Sequence, residues 1–295
     1  MMKPVSKLLE GGRRLHLQHG PIDLIVGVDP VEPAGRLSVF DAATKRFETI
    51  LTELVSELPL LRETMTNQSE EPVGLVAKRM DMVVRPYANS QFLTRMAAVA
   101  GSVADEVLFA MIQNTNLQRA YVNNGGDIAF YLSDNTEFSI AMAGLDGSNL
   151  GEIKIKSDTD IRGIATSGQA GRSFSLGIAD SVTVLAKTAA EADIAATLIA
   201  NSVTLEDHPH IHREKACNLD PDSDLGNRKV VTSIGDLSSF DINKALDAGY
   251  CTAAKMIRDN LIFDAALSLK GIQRLVGASS TNRLIKIGNS EICLN

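Results

Sequence analysis

The stretch Gln118-Arg119-Ala120-Tyr121-Val122-Asn123-Asn124-Gly125-Gly126-Asp127-Ile128-Ala129-Phe130-Tyr131-Leu132 decides the class of fold. Two short apolar runs, Tyr121-Val122 and Ile128 to Leu132, flank a run of turn residues, the pattern of strand, tight turn, strand. Asn-Gly between apolar runs is the commonest hairpin signal. The same two glycines also let backbone approach a ligand closely, and Asp127 can accept hydrogen bonds from a ribose or a base. Both readings of the turn stand at this point.

Downstream of the turn the chain stays β in character. Phe138 to Met142, Ile153 to Ile155 and Val182 to Leu185 are short apolar runs between turn residues. A helix is expected from Thr188 to about Val203, opened by the capping box Thr188 to Glu191. Another is expected between Ser239 and Ile257, followed by strands at Phe263 to Leu269, Arg274 to Val276 and Leu284 to Ile287. Upstream, Pro21 to Val28 reads as a strand stopped by Asp29-Pro30. Ser38 with Asp41 resembles a capping box. Phe40, Ala43, Phe47, Ile50, Leu51, Leu54 and Leu58 then recur at helical spacing until Pro59. Arg62 to Pro72 is a polar, acidic surface loop or hinge. A second helix is expected from Asn89 or Ser90 to Gln113, burying Phe92, Met96, Val99, Val103, Val107 and Ala110, with small residues that allow close packing. Strands and long helices come in blocks without a βαβα rhythm, so the expected class is α+β, with mixed or antiparallel sheets against long helices. No short-period repeat points to a solenoid or propeller.

The chain has 295 residues, enough for one large domain or for two lobes dividing near residue 118. Lys plus Arg number 29 against 36 Asp plus Glu, a net charge of -7, so no global positive field exists to attract nucleic acid. With 9 Phe, 4 Tyr and no Trp, the aromatics are too few to suggest a base-stacking platform. The first ten residues carry no apolar core of signal-peptide length and no run is long enough for a bilayer, so a cytoplasmic protein without a membrane partner is expected. Cys217, Cys251 and Cys293 are widely spaced and read as reduced thiols.

Three further stretches carry candidate chemistry. Gly163-Ile164-Ala165-Thr166-Ser167-Gly168-Gln169-Ala170-Gly171-Arg172-Ser173 reads as a loop whose amides, hydroxyls and guanidinium suit a phosphate, or as a plain connection. It is no Walker loop, since Gln169 stands where Lys is required, and no nucleophile elbow, since Ala165 precedes Thr166. Asp193 and Thr197, four apart in the expected helix, share a face and could hold Mg²⁺; an Asp near a helix N-terminus also needs no metal. His208-Pro209-His210-Ile211-His212 places alternate histidines on one side if extended, which would suit a transition metal, or it is a solvated loop. Asp220 to Asp224 begins like a calcium loop, but Gly226 and Val231 fall where an EF-hand needs other residues.

Taken in order, the Gly-Gly-Asp turn before a strand, the Ala-Thr-Ser-Gly segment, the Val-Thr-Val strand and the alanine-rich helix with Asp-x-x-x-Thr resemble the ApbE-like superfamily. Val99 to Ala104, Gly177 to Val184 and Asp220 to Gly226 resemble a short, soluble branch of it, so the likeness covers most of the chain. The resemblance implies an ApbE-like, T-fold-type architecture and binding of FAD with Mg²⁺. It implies transfer of FMN from FAD to a threonine of a protein acceptor, the metal polarising the pyrophosphate as AMP leaves. Gly125, Gly126, Asp127, Thr166, Ser167, Gly168 and Arg172 become flavin-site candidates; Asp193, Thr197 and the carbonyl of Ala165 become metal candidates. The transferases also carry a His and an Asp-Pro before the Val-Thr-Val strand, and Phe174 to Asp180 contains neither. A flavin- or metabolite-binding protein without transfer, or a catabolic enzyme using the histidines, is therefore the alternative. No catalytic residue is assigned, and the apolar helix from Phe92 to Met111 offers a face for a homodimer.

Overall fold

The computed structural model describes residues 3–29, 32–89, 91–113, 116–143, 149–169, 171 and 173–277. Ser90, Arg172, Cys293 and the strand expected at Leu284 to Ile287 lie outside the described residues. The fold is α+β. In chain order the strands are β1 (Val5–Leu9), β2 (Arg14–His19), β3 (Ile22–Asp29), β4 (Arg119–Asn124), β5 (Asp127–Leu132), β6 (Glu137–Ala143), β7 (Asn149–Lys156), β8 (Gly163–Ser167), β9 (Ser181–Ala186), β10 (Ile211–Lys215), β11 (Lys229–Ile234), β12 (Asp264–Leu269) and β13 (Ile272–Gly277). The α-helices are α1 (Pro33–Ser56), α2 (Leu58–Arg62), α3 (Leu75–Val84), α4 (Val99–Ile112), α5 (Ala189–Ser202), α6 (Ala216–Leu219) and α7 (Ser239–Arg258).

The chain forms two compact units, and each gathers separate stretches of sequence. The first holds 1–136, 162–165 and 186–194. In it β1 to β5 form an antiparallel meander, each strand pairing with the next, and the start of β8 pairs with β5 through Ile128 and Ala129. Alternation in β2 and β3 turns Leu15, Leu17, Leu24 and Val26 inward, against Phe40, Ala43, Phe47 and Ile50 of α1 and Val103, Val107 and Met111 of α4. Burying each of these side chains larger than alanine contributes about 1.5–3 kcal/mol.

Three local expectations are corrected in this unit. Helix α1 begins at Pro33, not Ser38, so Ser38 lies inside it and caps nothing. Proline suits the first turn because the amide it lacks has no helical partner there. The same helix ends at Ser56, and Pro59 sits in the first turn of α2 instead of closing α1. The helix expected from residue 89 starts as a short 3-10 turn, Arg95–Ala98, and becomes α-helical only at Val99. Helix α3 and strands β1 and β2 answer to no sequence expectation. The acidic loop before α3 is held by a fully buried Arg95, whose guanidinium meets Asp81 at 2.7 Å and the carbonyls of Leu60 and Glu70. Glu57 accepts the amides of Val73 and Gly74 at 2.6 and 2.8 Å, supplying the cap that Gly74 cannot.

The second unit holds 137–161, 166–185 and 195–295. Here β12 lies antiparallel between β9 and β13, while β6 with β7 and β10 with β11 form two-stranded ribbons. Helix α7 packs on β12 and β13 through Ile242, Leu246, Ala253 and Met256, and Gly249 lets it come close to Val203 and Leu267. Its Ser238 accepts the amide of Asp241 at 3.1 Å, an ordinary N-cap. The Gly163 to Ser173 stretch is corrected here: its first five residues are strand β8, and the connection begins at Gly168. The histidines are corrected as well. His208 and His210 sit in a turn and only His212 enters a strand, so the three do not alternate along one extended face. Among the described residues no helix is long and apolar enough to cross a membrane, and Cys217 and Cys251 are free thiols.

Candidate functional site

The Gly-Gly-Asp turn is a tight hairpin. Asn124 pairs with Asp127 across it, and Gly125 and Gly126 take φ of 65° and 113°, the positive pair that a two-residue turn of the primed class demands. Asn123 accepts the Gly126 amide at 2.8 Å, fixing the turn from within. The side-chain amide of Asn124 donates to the carbonyl of Ala100 at 3.0 Å, tying the turn to the first turn of α4. Asp127 follows as the first residue of β5 and is buried.

Helix α4 has no side-chain cap of its own, because Ala98 occupies the N-cap position. A side chain from another helix does that work. Asp193 of α5 accepts the Gly101 amide at 3.0 Å and is bonded by the Ala100 amide too, the donors that a local cap would normally take. The arrangement is reciprocal. Asp105 of α4 accepts the amides of Ala189 and Ala190, the first two of α5, at 3.1 and 2.9 Å. Thr188 and Glu191 complete that end with the expected capping box, at 3.1 and 3.2 Å. The helices can approach this closely only because residue 101 is glycine: a Cβ there would lie 2.3 Å from the carbonyl oxygen of Ala189.

Electrostatics single out the same carboxylates. Asp193 is packed on nearly every side while keeping some accessible surface. Burial, then the charge of Asp127, push its carboxyl well above the usual carboxylate range; the Gly101 and Ala100 amides pull the other way, and Asp105 adds a second negative charge. Burial likewise lifts Asp105 to about 6, against the opposing pull of its two amide bonds. The charges that act most on Asp193 are thus both negative. A divalent cation is the counter-charge that such a group of hard oxygens favours. Among the described residues no three His, Cys, Asp or Glu side chains are grouped to hold a metal by themselves. A cation at Asp193 would therefore complete its shell from carbonyl, hydroxyl, water or phosphate oxygens, as Mg²⁺ commonly does.

The other candidates fall as follows. Ala165 is fully buried in β8 within the first unit. Thr166, Ser167, Gly168 and Thr197 belong to the second unit. Thr166 is exposed and shares a 2.9 Å hydrogen bond with Thr183 of β9. Ser167 is half-buried; Gly168 packs so close to β9 that a Cβ would lie 2.5 Å from the Asp180 carbonyl. Thr197 is half-buried one turn beyond Asp193. The histidine turn is tied to the segment that leads into α7. His208 accepts the His210 amide at 3.2 Å and its other nitrogen lies 3.6 Å from Asp241, while His210 bonds the Asp236 carbonyl.

The family model described as AbpE bacteria matches residues 6–277. The chain belongs to this family, within the ApbE-like superfamily. UPF0280 proteins are also similar to it: one from Methanococcus vannielii is 42% identical over 113 residues, 36% of this chain and 44% of that protein. One from Methanococcus maripaludis is 34% identical over 182 residues, 58% of this chain and 72% of that protein. The match to the first therefore spans less than half of that relative's length. Two solved structures are similar at 11% identity. They are the ApbE protein of Thermotoga maritima (TM-score 0.46, 92% of this chain and 96% of that one) and the Pseudomonas stutzeri flavinyl transferase ApbE in its apo form (TM-score 0.43, 94% of each). The residues around Asp193 that spacing alone missed are Ala100, Gly101 and Asp105. The short-residue run Val99 to Ala104 is the one visible signal for Ala100 and Gly101, and Asp105 directly follows it.

Proposed function

We propose that this protein binds FAD with Mg²⁺ and transfers FMN from it to a protein acceptor, by analogy with the family's flavin-transferring relatives. The observation that carries the reading is the Asp193 carboxylate held at the start of α4 by the Gly101 amide, where the negative charge of Asp127 acts on it and a divalent cation would relieve the repulsion. A bound Mg²⁺ would supply positive charge at the pyrophosphate and so favour departure of AMP. Asp193 supplies the anionic ligand, with the Thr197 hydroxyl and the Ala165 carbonyl as neutral oxygens. Gly125, Gly126 and Asp127 serve the flavin nucleotide, the glycines by leaving backbone bare and Asp127 by accepting hydrogen bonds. Thr166, Ser167, Gly168 and Arg172 serve its phosphates.

The absence of a His and of an Asp-Pro between Phe174 and Asp180 favours a second reading, in which the pocket binds without transfer. Isothermal titration of FAD into the protein, with and without Mg²⁺ and repeated on Asp193→Ala, separates these from each other and from failure. Micromolar binding that needs both Mg²⁺ and Asp193 supports the site, and AMP release with an acceptor then supports transfer. Binding without AMP release favours the second reading. No binding of FAD refutes transfer and flavin binding alike, and leaves only the binding of another phosphate-bearing or acidic metabolite.

A further inference from the structure

Asp105 belongs to no expected site, yet it is one of the two side chains that lock α4 to the start of α5. Its carboxylate bonds Ala189 and Ala190 at 3.1 and 2.9 Å, one amide to each oxygen. In return Asp193, one turn along α5, bonds the Gly101 amide at 3.0 Å. Two helices joined by opposed carboxylate-to-amide bonds, with backbone in contact at Gly101, cannot slide or turn against each other without breaking bonds at both ends. Asn124 brings the Gly-Gly-Asp turn to the same place through Ala100.

From this geometry we infer that Asp105 is a positioning residue: it sets the height of α5 on α4 and so places the Asp193 carboxylate for a divalent cation. The inference rests on the proposed cation role of Asp193. A residue that orients a metal ligand from outside the coordination shell typically changes metal affinity about 10- to 100-fold when lost. Replacing Asp105 by Asn keeps the size and one acceptor but presents an amide donor to a backbone donor, which tilts the lock without emptying the space.

The test uses Mn²⁺ as the probe, with free ion counted by electron paramagnetic resonance at pH 7.5 and Mg²⁺ added as competitor. Four proteins are compared: wild type, Asp193→Ala, Asp105→Asn, and Thr188→Ala, which removes the local cap of α5 and leaves Asp105 in place. The expected result is Mn²⁺ binding in wild type, loss in Asp193→Ala, at least tenfold weakening in Asp105→Asn, and wild-type affinity in Thr188→Ala. If Asp105→Asn does not fold, Asp105→Ser, which keeps a hydroxyl acceptor, takes its place with the same expectation; failure of both to fold counts against a positioning role. Unchanged affinity in a folded Asp105 variant overturns this inference and leaves the proposed function standing. Equal weakening in Thr188→Ala also overturns it, since general loosening of α5 would then suffice. Absence of Mn²⁺ binding in wild type overturns the cation reading and this inference together.

Discussion

Removing the charge at Asp105 should change how stability depends on pH, in a direction opposite to ordinary acid denaturation. The Asp105 carboxyl is lifted from 3.8 to about 6 in the folded protein because burial outweighs its two amide bonds. A folded value above the unfolded one means the group's contribution is fully present below about 3.8 and is lost as pH rises through about 6. At 1.36 kcal/mol per tenfold change in proton affinity, the span amounts to about 3 kcal/mol. Other carboxylates act in the reverse sense, Glu53 for example being held low by Arg46, so the measured quantity is the difference between two proteins. Urea unfolding of wild type and Asp105→Asn, between pH 4 and 8 without divalent cations, isolates it. The wild type should lose about 2.5 kcal/mol relative to the variant as pH rises across that range, most of it between pH 4 and 6. A difference that stays flat within about 0.5 kcal/mol would refute the burial argument, being within the error of such extrapolations.

Two further outcomes follow from the packing. Gly101→Ala places a methyl 2.3 Å from the Ala189 carbonyl oxygen, so α4 and α5 must part; chemical unfolding should show a loss of about 1–3 kcal/mol, accompanied by weaker cation binding. Arg95→Leu leaves the carbonyls of Leu60 and Glu70 without their donor and breaks a buried pair with Asp81. Because Asp81 keeps its bidentate partner Arg85, the cost comes mainly from the two orphaned carbonyls, about 2–5 kcal/mol, and the segment around Glu70 should become open to proteolysis.

What could be read from sequence was what neighbours in sequence decide. The hairpin at Gly125-Gly126 and the boxes opening α5 and α7 rest on contacts three residues apart or fewer, and the first two were expected with their residues named. Helix α3 escaped because its cap comes from Glu57, sixteen and seventeen residues away, and because Leu75 and Met82 are exposed and blur its apolar stripe. Strand β2 escaped because its buried alternate positions are filled by Leu15, Leu17 and His19, among Arg14, His16 and Gln18 that mask the period. At the candidate site, the capping box and apolar spacing made Asp193 and Thr197 helical, and both lie in α5. Spacing had no means of relating Asp193 to Gly101, or Asp105 to Ala189, because those bonds span 92 and 84 residues.

That separation has a consequence during synthesis. The first amides of α4 emerge from the ribosome long before Asp193 exists, and at about 5–20 residues per second the gap of 92 residues lasts roughly 5–20 s. Until then the helix start must be hydrated or covered by something else, and the small apolar faces meant for α5 stay open. A nascent chain stalled before residue 193 should therefore be the species that chaperones hold and proteases find, whatever the stability of the finished protein.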